Sequence, residues 1–264
     1  MEKFQARHPW EFILTLGDNI YERGDPRDFD RKFKDVYRGL MADGVRFHGA
    51  LGNHDRLDAT SQRGLAQVED EAFGYVGKVD EYMFEAGPKV MAGRRLARFI
   101  CLNSDAWIEE IAKERGSELM YRVKRLRRWL AESDRYRWNI IYMHHPLYSY
   151  SRGPLFGFIS RGHGPSLELR AVLEPELVGR VDLFLAGHEH FYQKIRPQKG
   201  IHYIISGAAG KLRHGALTDH PEVEFAAVEY HFLDVELSEA SFKYQAVNDE
   251  GRVIHSGVIA KMGD

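Results

Sequence analysis

The sequence contains a single cysteine, Cys101, so no disulfide can form within the chain. Cys101 lies in the apolar run ARFICLN, which predicts a buried strand. No apolar run approaches the length of a membrane span, and the opening segment MEKFQARHPW lacks the hydrophobic region of a signal peptide. As written, the sequence therefore contains neither a signal peptide nor a span, and its compartment is not predicted.

The sequence also lacks an excess of either charge. Lys plus Arg number 37 and Asp plus Glu number 39, which gives a formal net charge of -2. Electrostatics alone therefore predict no affinity for nucleic acid or for anionic membranes. Hydrophobic residues make up 44% and charged residues 29%, which is typical of a globular enzyme and excludes disorder. Repeats, low-complexity tracts and evident linkers are missing, so residues 1–264 are predicted to form one domain.

Apolar runs of strand length alternate with segments of helical periodicity, and this pattern predicts an α/β sheet core. The strand-like runs are EFILTL, VRFHGAL, ARFICL, WNIIYM, VDLFLA and IHYIIS. The last 35 residues before the C-terminal KMGD alternate apolar and polar residues around two turn signals, Ser238-Glu239 and the NDEG at 248–251. That region is predicted to form antiparallel strands.

One helix is predicted in the segment SELMYRVKRLRRWLAESDRY. Val123, Leu126, Trp129 and Leu130 recur there at helical spacing. Basic residues cover most of the remaining surface: Arg122, Lys124, Arg125, Arg127 and Arg128. We interpret them as a solvated helix face, with a contact to nucleic acid as the less favoured alternative.

Polar residues with metal-ligand chemistry follow directly after four of the strand-like runs. They are Asp18 after FILTLG, Asn53, His54 and Asp55 after HGALG, His144 and His145 after WNIIYM, and His188 and His190 after VDLFLAG. Open α/β sheets bind ligands at the carboxyl ends of their strands. Each group alone is more typical of a turn or a structural histidine, but four groups at one sheet edge favour a metal site.

These motifs resemble those of the calcineurin-like metallophosphoesterases. GD at 17–18, GNHD at 52–55, the histidine of IIYMHHP and GHEH at 187–190 occur in that family's order. GDNIY, with Tyr21 three residues after Asp18, is similar to the purple acid phosphatase branch, which includes the tartrate-resistant enzymes. HGP at 163–165 and SGAAG at 206–210 extend the likeness over nearly the whole chain. The resemblance implies a four-layer αββα sandwich and hydrolysis of phosphomonoesters by a metal-bound hydroxide.

The resemblance also implies a ligand set for two metal ions. It implies Asp18 as the bridge, Tyr21 and His190 on the first ion, and Asn53, His144 and His188 on the second. His144 is preferred to His145 because the family's ligand lies two residues before the proline, here Pro146. His145 is then expected beside the ligands or in solvent. A phenolate with a carboxylate and an imidazole suits iron, whereas the second set suits divalent Fe, Zn or Mn.

His54 and His163 are the candidate catalytic acids, able to stabilise phosphoryl oxygens and to protonate the leaving group. Asp55 is a candidate for orienting His54 or raising its pKa. His163 lies in the glycine-flanked segment RGHGPS, where an ordinary surface histidine is the alternative.

Substrate specificity is expected to depend on the segment from Tyr148 to Gly164. Arg152 and Arg161 lie in it, but neither is favoured individually as a phosphate contact. The substrate is expected to be a phosphorylated small molecule or a phosphoprotein, and the oligomeric state is not predicted.

The sequence departs from the family's pattern in one place. The family's first motif is an upstream strand ending in an aspartate that binds the metal of the tyrosine site. Only seventeen residues precede Asp18, and none is an aspartate. An N-terminally truncated chain without the first strand and helix is the favoured explanation, and a natural chain with altered or no catalysis is the alternative. Three functions stay open: a phosphomonoesterase, a phosphodiesterase, and a non-catalytic phosphate-binding protein.

Overall fold

The structure is a computed structural model, and it describes residues 1–55, 80–113, 116–151, 163–214 and 217–261. The helices are α1 (Glu2–Gln5), α2 (Arg38–Ala42), α3 (Ser104–Ala112), α4 (Gly116–Leu130) and α5 (Leu167–Leu177), with a π-helical segment at Asp30–Lys34 and 3₁₀ turns at Pro26–Asp28, Met91–Gly93 and Ser133–Arg135. Within these ranges, no helix combines the length and the apolar character that crossing a membrane requires.

The strands are β1 (Phe12–Leu16), β2 (Arg46–Ala50), β3 (Tyr82–Lys89), β4 (Arg95–Cys101), β5 (Tyr136–Met143), β6 (Leu183–Ala186), β7 (Tyr192–Gln198), β8 (Ile201–Ser206), β9 (Val223–Ala227), β10 (His231–Leu237), β11 (Ser241–Asn248) and β12 (Val253–Ala260). In the described residues they form a seven-stranded sheet of order β3-β4-β5-β6-β8-β7-β9, a parallel pair β1-β2 and an antiparallel sheet β10-β11-β12. All six predicted strands are present, as β1, β2, β4, β5, β6 and β8. The antiparallel C-terminal strands are also confirmed.

Strand β5 explains how the layers stack. All eight of its residues are buried, because its side chains alternate between two hydrophobic cores. Ile141 and Met143 pack with residues of α3, α4 and α5, whereas Ile140 and Tyr142 pack against β1, β2 and the β10-β11-β12 sheet. A third core lies between β2 and the helical segments that include α2. The first layer is formed by α3, α4 and α5, the second by the seven-stranded sheet, the third by the β1-β2 pair and the β10-β11-β12 sheet, and the fourth by the helical segments that include α2. This order confirms the four-layer architecture.

Helix α4 exists as predicted, with Leu126 and Leu130 buried, but its basic face is not simply solvated. Arg122 Nη1 lies 3.1 Å from a carboxylate oxygen of Glu81, and Arg125 also bonds to that carboxylate. Glu81 is buried and accepts a hydrogen bond of 2.6 Å from the Trp107 indole. The interpretation of a solvated face is therefore wrong for Arg122 and Arg125, since a buried carboxylate requires charged partners.

Candidate metal centre

The carboxyl ends of four strands meet at one edge of the two facing sheets. Asp18 follows β1, Asn53 follows β2, His144 follows β5 and His188 follows β6. Parallel pairing of β1 with β2 and of β5 with β6 brings these ends together. The side chains that the sequence pattern singled out therefore share one site, in the position expected for an α/β sheet.

Four of their ligand atoms converge, and we call them the second donor group: Asp18 Oδ1, Asn53 Oδ1, His144 Nε2 and His188 Nδ1. Asn53 Oδ1 lies 3.0 Å from His144 Nε2 and 3.1 Å from His188 Nδ1. The two ring nitrogens are 3.0 Å apart, and His144 Nε2 lies 3.4 Å from Asp18 Oδ1.

The orientation of His144 is fixed by the backbone of β1. Its Nδ1 lies 2.8 Å from the Leu16 carbonyl oxygen, and the residue is 1% exposed. Because a carbonyl only accepts, Nδ1 must carry the proton, which leaves the lone pair on Nε2 within the second donor group. This is the tautomer that a metal-ligating histidine requires.

The other carboxylate oxygen of Asp18 belongs to a separate set of atoms, the first donor group: Asp18 Oδ2, Tyr21 Oη and His190 Nε2. The Tyr21 hydroxyl donates to Asp18 Oδ2 at 2.8 Å and lies 3.3 Å from His190 Nε2. Asp18 thus offers one oxygen to each donor group, which is the arrangement of a carboxylate that bridges two ions.

The loops that carry these atoms approach more closely than most side chains would permit. Gly17 has a φ of +89°, and a Cβ there would lie 2.5 Å from His144 Nδ1. A Cβ on Gly52 would lie 2.3 Å from Asp18 Oδ1. Asp18 and His188 themselves have positive φ values of 55° and 64°, a region uncommon for non-glycine residues in which Asp and His are enriched.

The separations within both donor groups fit metal ions. Ligand atoms at about 2.0–2.1 Å from a tetrahedral ion lie roughly 3.3–3.4 Å from one another. In the second donor group, Asn53 Oδ1, His144 Nε2 and His188 Nδ1 lie 3.0–3.1 Å from one another, and His144 Nε2 lies 3.4 Å from Asp18 Oδ1. In the first, Tyr21 Oη lies 2.8 Å from Asp18 Oδ2 and 3.3 Å from His190 Nε2. A carboxylate, an amide oxygen, imidazoles and a phenol are also ligand types that iron, zinc and manganese accept.

Electrostatics favour the neutral imidazoles that metals bind. Burial, together with the neighbouring histidine rings, holds the pKa of His188 far below its ordinary value. Burial and the nearby charges of Arg213 and Lys211 lower the pKa of His190 to about 4. Burial and the Asp18 carboxylate raise the pKa of the Tyr21 phenol well above its usual range, so its deprotonation requires a strongly Lewis-acidic ion.

His54 lies at the site, but Asp55 does not orient it. The backbone N–H of His54 donates to Asp18 Oδ1 at 2.9 Å, and the His54 Nδ1 lies 2.9 Å from the Glu22 carbonyl oxygen. Asp55 is 1% exposed and instead accepts from the backbone of Asn19, Ile20 and Gly52 and from the Asn19 amide group. In these contacts Asp55 joins the β1 and β2 loops, and the Glu22 carbonyl rather than Asp55 lies against the His54 ring, while a catalytic part for Asp55 stays a prediction.

His163 also reaches the site. Its ring centroid lies 4.1 Å from that of His188 and 6.2 Å from that of His190. Desolvation by this packing and the charge of Arg213 lower the pKa of His163 to about 4. The candidate phosphate contacts Arg152 and Arg161 lie outside the described residues.

Two residues near the site, His145 and Glu189, lie outside the predicted ligand set. The His145 ring lies 4.2 Å from that of His188, and its Nδ1 is 2.8 Å from the Ser104 hydroxyl. The ligand nitrogens of His144, His145 and His188 all lie within 4.8 Å of one another. Glu189, between the two histidines of GHEH, is fully buried. The only signal in the sequence for a structural role of Glu189 was an acidic residue between the two predicted histidine ligands of GHEH.

The structure brings together all six predicted ligands, and their assignment as ligands stays a prediction. The model of the calcineurin-like phosphoesterase family matches residues 1–192. Tartrate-resistant acid phosphatase type 5 of Oryctolagus cuniculus is 23% identical over 254 residues, covering 88% of this chain and 74% of that protein.

Two solved structures share the fold. GAP50, described as the anchor in the inner membrane complex of Plasmodium, superposes with a TM-score of 0.72 at 19% identity, covering 99% of this chain and 82% of that one. Purple acid phosphatase PPD1 from yellow lupin (Lupinus luteus) superposes with a TM-score of 0.66 at 17% identity, covering 98% of this chain and 48% of that one. These likenesses bear out the fold inferred from the motifs.

Proposed function

Because the chain belongs to the calcineurin-like phosphoesterase family, we propose that it hydrolyses phosphomonoesters at a centre of two metal ions. The observation that carries the proposal is the division of the Asp18 carboxylate, with one oxygen in each donor group. Membership of the family implies two metal ions, and the relatives named as acid phosphatases favour monoesters over diesters. A phosphorylated small molecule or a phosphoprotein is the substrate class that we propose.

The two donor groups differ in chemistry, and this difference supports two different ions. Tyr21, Asp18 and His190 would hold iron, because a phenolate requires a strongly Lewis-acidic partner. Asp18, Asn53, His144 and His188 would hold Fe, Zn or Mn as a divalent ion. When bound, such a pair supplies Lewis-acid polarisation of a phosphoryl oxygen and an activated water.

The remaining chemistry falls to His54 and His163. With the Glu22 carbonyl accepting from Nδ1, His54 presents Nε2 as the atom that can exchange a proton with the phosphoryl group. Burial and the charge of Arg213 lower the pKa of His163, which favours the neutral ring near neutral pH, and that ring would offer an N–H to a phosphoryl oxygen. Its protonated form, able to protonate the leaving alkoxide, is populated only in acid.

The proposal is tested with protein reconstituted with iron and zinc, by hydrolysis of phenyl phosphate and of bis-phenyl phosphate. We expect turnover of the monoester and a visible tyrosinate-to-iron absorption band. Tyr21→Phe should abolish the band, and His188→Ala should lose one ion per chain. His8→Ala, at an exposed histidine, is the control and should change neither. Turnover of the diester alone would replace the proposal with the phosphodiesterase reading.

A phosphate-binding protein without turnover is the second candidate. The observation that favours it is the size of the first donor group. Among the described residues, that group has three ligand atoms, whereas the second has four. An ion with fewer protein ligands is held more weakly. Phosphate binding with full metal content and no hydrolysis of either ester would favour this candidate.

A further inference from the structure

Glu189 lies in the turn after β6, between His188 and His190, yet it belongs to neither donor group. Its side chain is 0% exposed. Burying a carboxylate costs free energy unless several hydrogen-bond donors surround it, so the partners of Glu189 indicate its role.

Those partners lie on two other segments of the chain. One carboxylate oxygen accepts from the Gly164 N–H at 2.6 Å and from the hydroxyls of Ser149 and Ser151 at 3.0 and 3.4 Å. The other oxygen accepts from the His163 N–H at 3.1 Å. The two carboxylate oxygens of Glu189 therefore accept from two consecutive backbone N–H groups, those of His163 and Gly164.

The backbone contact lies close to the place where the His163 ring meets the site. His163 precedes α5 and is an exposed residue. Its ring nevertheless lies 4.1 Å from that of His188, whose neighbour Glu189 binds the His163 N–H. The same turn thus carries both a member of the second donor group and the acceptor that holds the His163 backbone.

We propose that Glu189 is a positioning residue that fixes His163 beside the second donor group. The part of this proposal in which His163 contacts phosphate rests on the proposed function. The backbone contact itself does not. A carboxylate suits this task because both of its oxygens accept, whereas an amide would present an NH₂ group to one of the donors. Glu189→Gln keeps the volume of the side chain and replaces one acceptor with a donor.

The first test needs no metal: hydrogen exchange of the His163 and Gly164 amides in the metal-free protein. Glu189→Gln should speed exchange by about tenfold or more at whichever of the two amides faces the new NH₂ group, and by less at the other, which keeps a neutral oxygen as its acceptor. Glu174→Gln is the matched control, because Glu174 is a buried acid on α5 that bonds to Tyr148 and Lys199. Unchanged exchange at residues 163 and 164 in a folded Glu189→Gln protein would overturn the proposal.

The second test measures the affinity of the metal-loaded protein for orthophosphate, in a double-mutant cycle with His163→Asn. If Glu189 acts through His163, Glu189→Gln should weaken binding several-fold in the parent and leave it unchanged in His163→Asn. An equal loss in both backgrounds would overturn the proposal. Glu189→Asp, which keeps the charge on a shorter side chain, serves in both tests if Glu189→Gln does not fold, and the same outcomes apply.

Failure of the two proposals can be told apart. If no variant binds orthophosphate, the phosphatase proposal fails, while the amide exchange still decides whether Glu189 holds the His163 backbone. If phosphate binds and the exchange is unaffected by Glu189→Gln, only the positioning proposal fails.

Discussion

Replacing Asp55 with asparagine tests whether this acid joins two loops or serves catalysis. In the folded protein, Asp55 Oδ1 accepts from the N–H groups of Asn19 and Ile20, and Oδ2 accepts from the Gly52 N–H and the Asn19 amide. An asparagine keeps one oxygen and turns an NH₂ group toward two donors. Two of the four contacts should therefore be lost.

The magnitude follows from those two contacts. An unsatisfied buried donor costs about 1–3 kcal/mol, so the loss of both is expected to cost roughly 2–6 kcal/mol. Removing the desolvation cost of the buried charge offsets part of this, which places the expectation near 2–4 kcal/mol. For a chain of this size, that corresponds to a melting temperature lower by about 5–15 °C.

The assay is thermal unfolding of the metal-free protein at about pH 8, because burial raises the pKa of Asp55 to about 7 and the carboxylate must be ionised. Asp25→Asn is the control, since Asp25 bonds to Arg27 at the surface, and its melting temperature should match the parent. An unchanged melting temperature for Asp55→Asn, with loss of turnover at full metal content, would refute the loop-joining account and restore a catalytic one.

Two further predictions concern β2 and the loop that follows it. Gly52→Ala should abolish metal binding, because a Cβ there would lie 2.3 Å from Asp18 Oδ1, whereas Gly210→Ala, with open space around it, should bind normally by elemental analysis. His48 stacks on Phe84 at 3.9 Å, and burial lowers its pKa to about 4 from 6.5. Its folded pKa lies below the unfolded value, so the unfolded chain takes up the proton first, and stability is lost as pH falls from about 6.5 to 4. Denaturant titrations should show a loss of about 2–3 kcal/mol over that window in the parent and less in His48→Phe, and equal losses in both would contradict the assignment.

The strands and the site could be predicted from the sequence because their signals are local. An apolar run followed by Gly-Asp or Gly-His identifies both a buried strand and the residue at its carboxyl end. Since parallel strands present those ends at one edge, Asp18, Asn53, His144 and His188 could be grouped before their distances were known. The C-terminal antiparallel strands followed equally from alternation and turn residues.

The partners of buried charged residues could not be predicted in this way. Arg122 and Arg125 have the pattern of a solvated helix face, and their pairing with Glu81 depends on the packing of α4 against the segment before β3. Asp55 lies within the GNHD motif, so proximity in sequence indicated a catalytic part, whereas Glu189 lies within GHEH and no part was predicted for it. Their partners include several backbone N–H groups, which no side-chain pattern reveals.

Metal content and phenyl phosphate hydrolysis, measured on the same preparation, show whether the two donor groups form a hydrolytic centre of two ions. We expect two ions per chain and a turnover rate that rises with the second ion, and we expect His188→Ala to lose one ion and the activity together. Two bound ions without hydrolysis, or hydrolysis that persists after both ions are removed, would contradict this expectation.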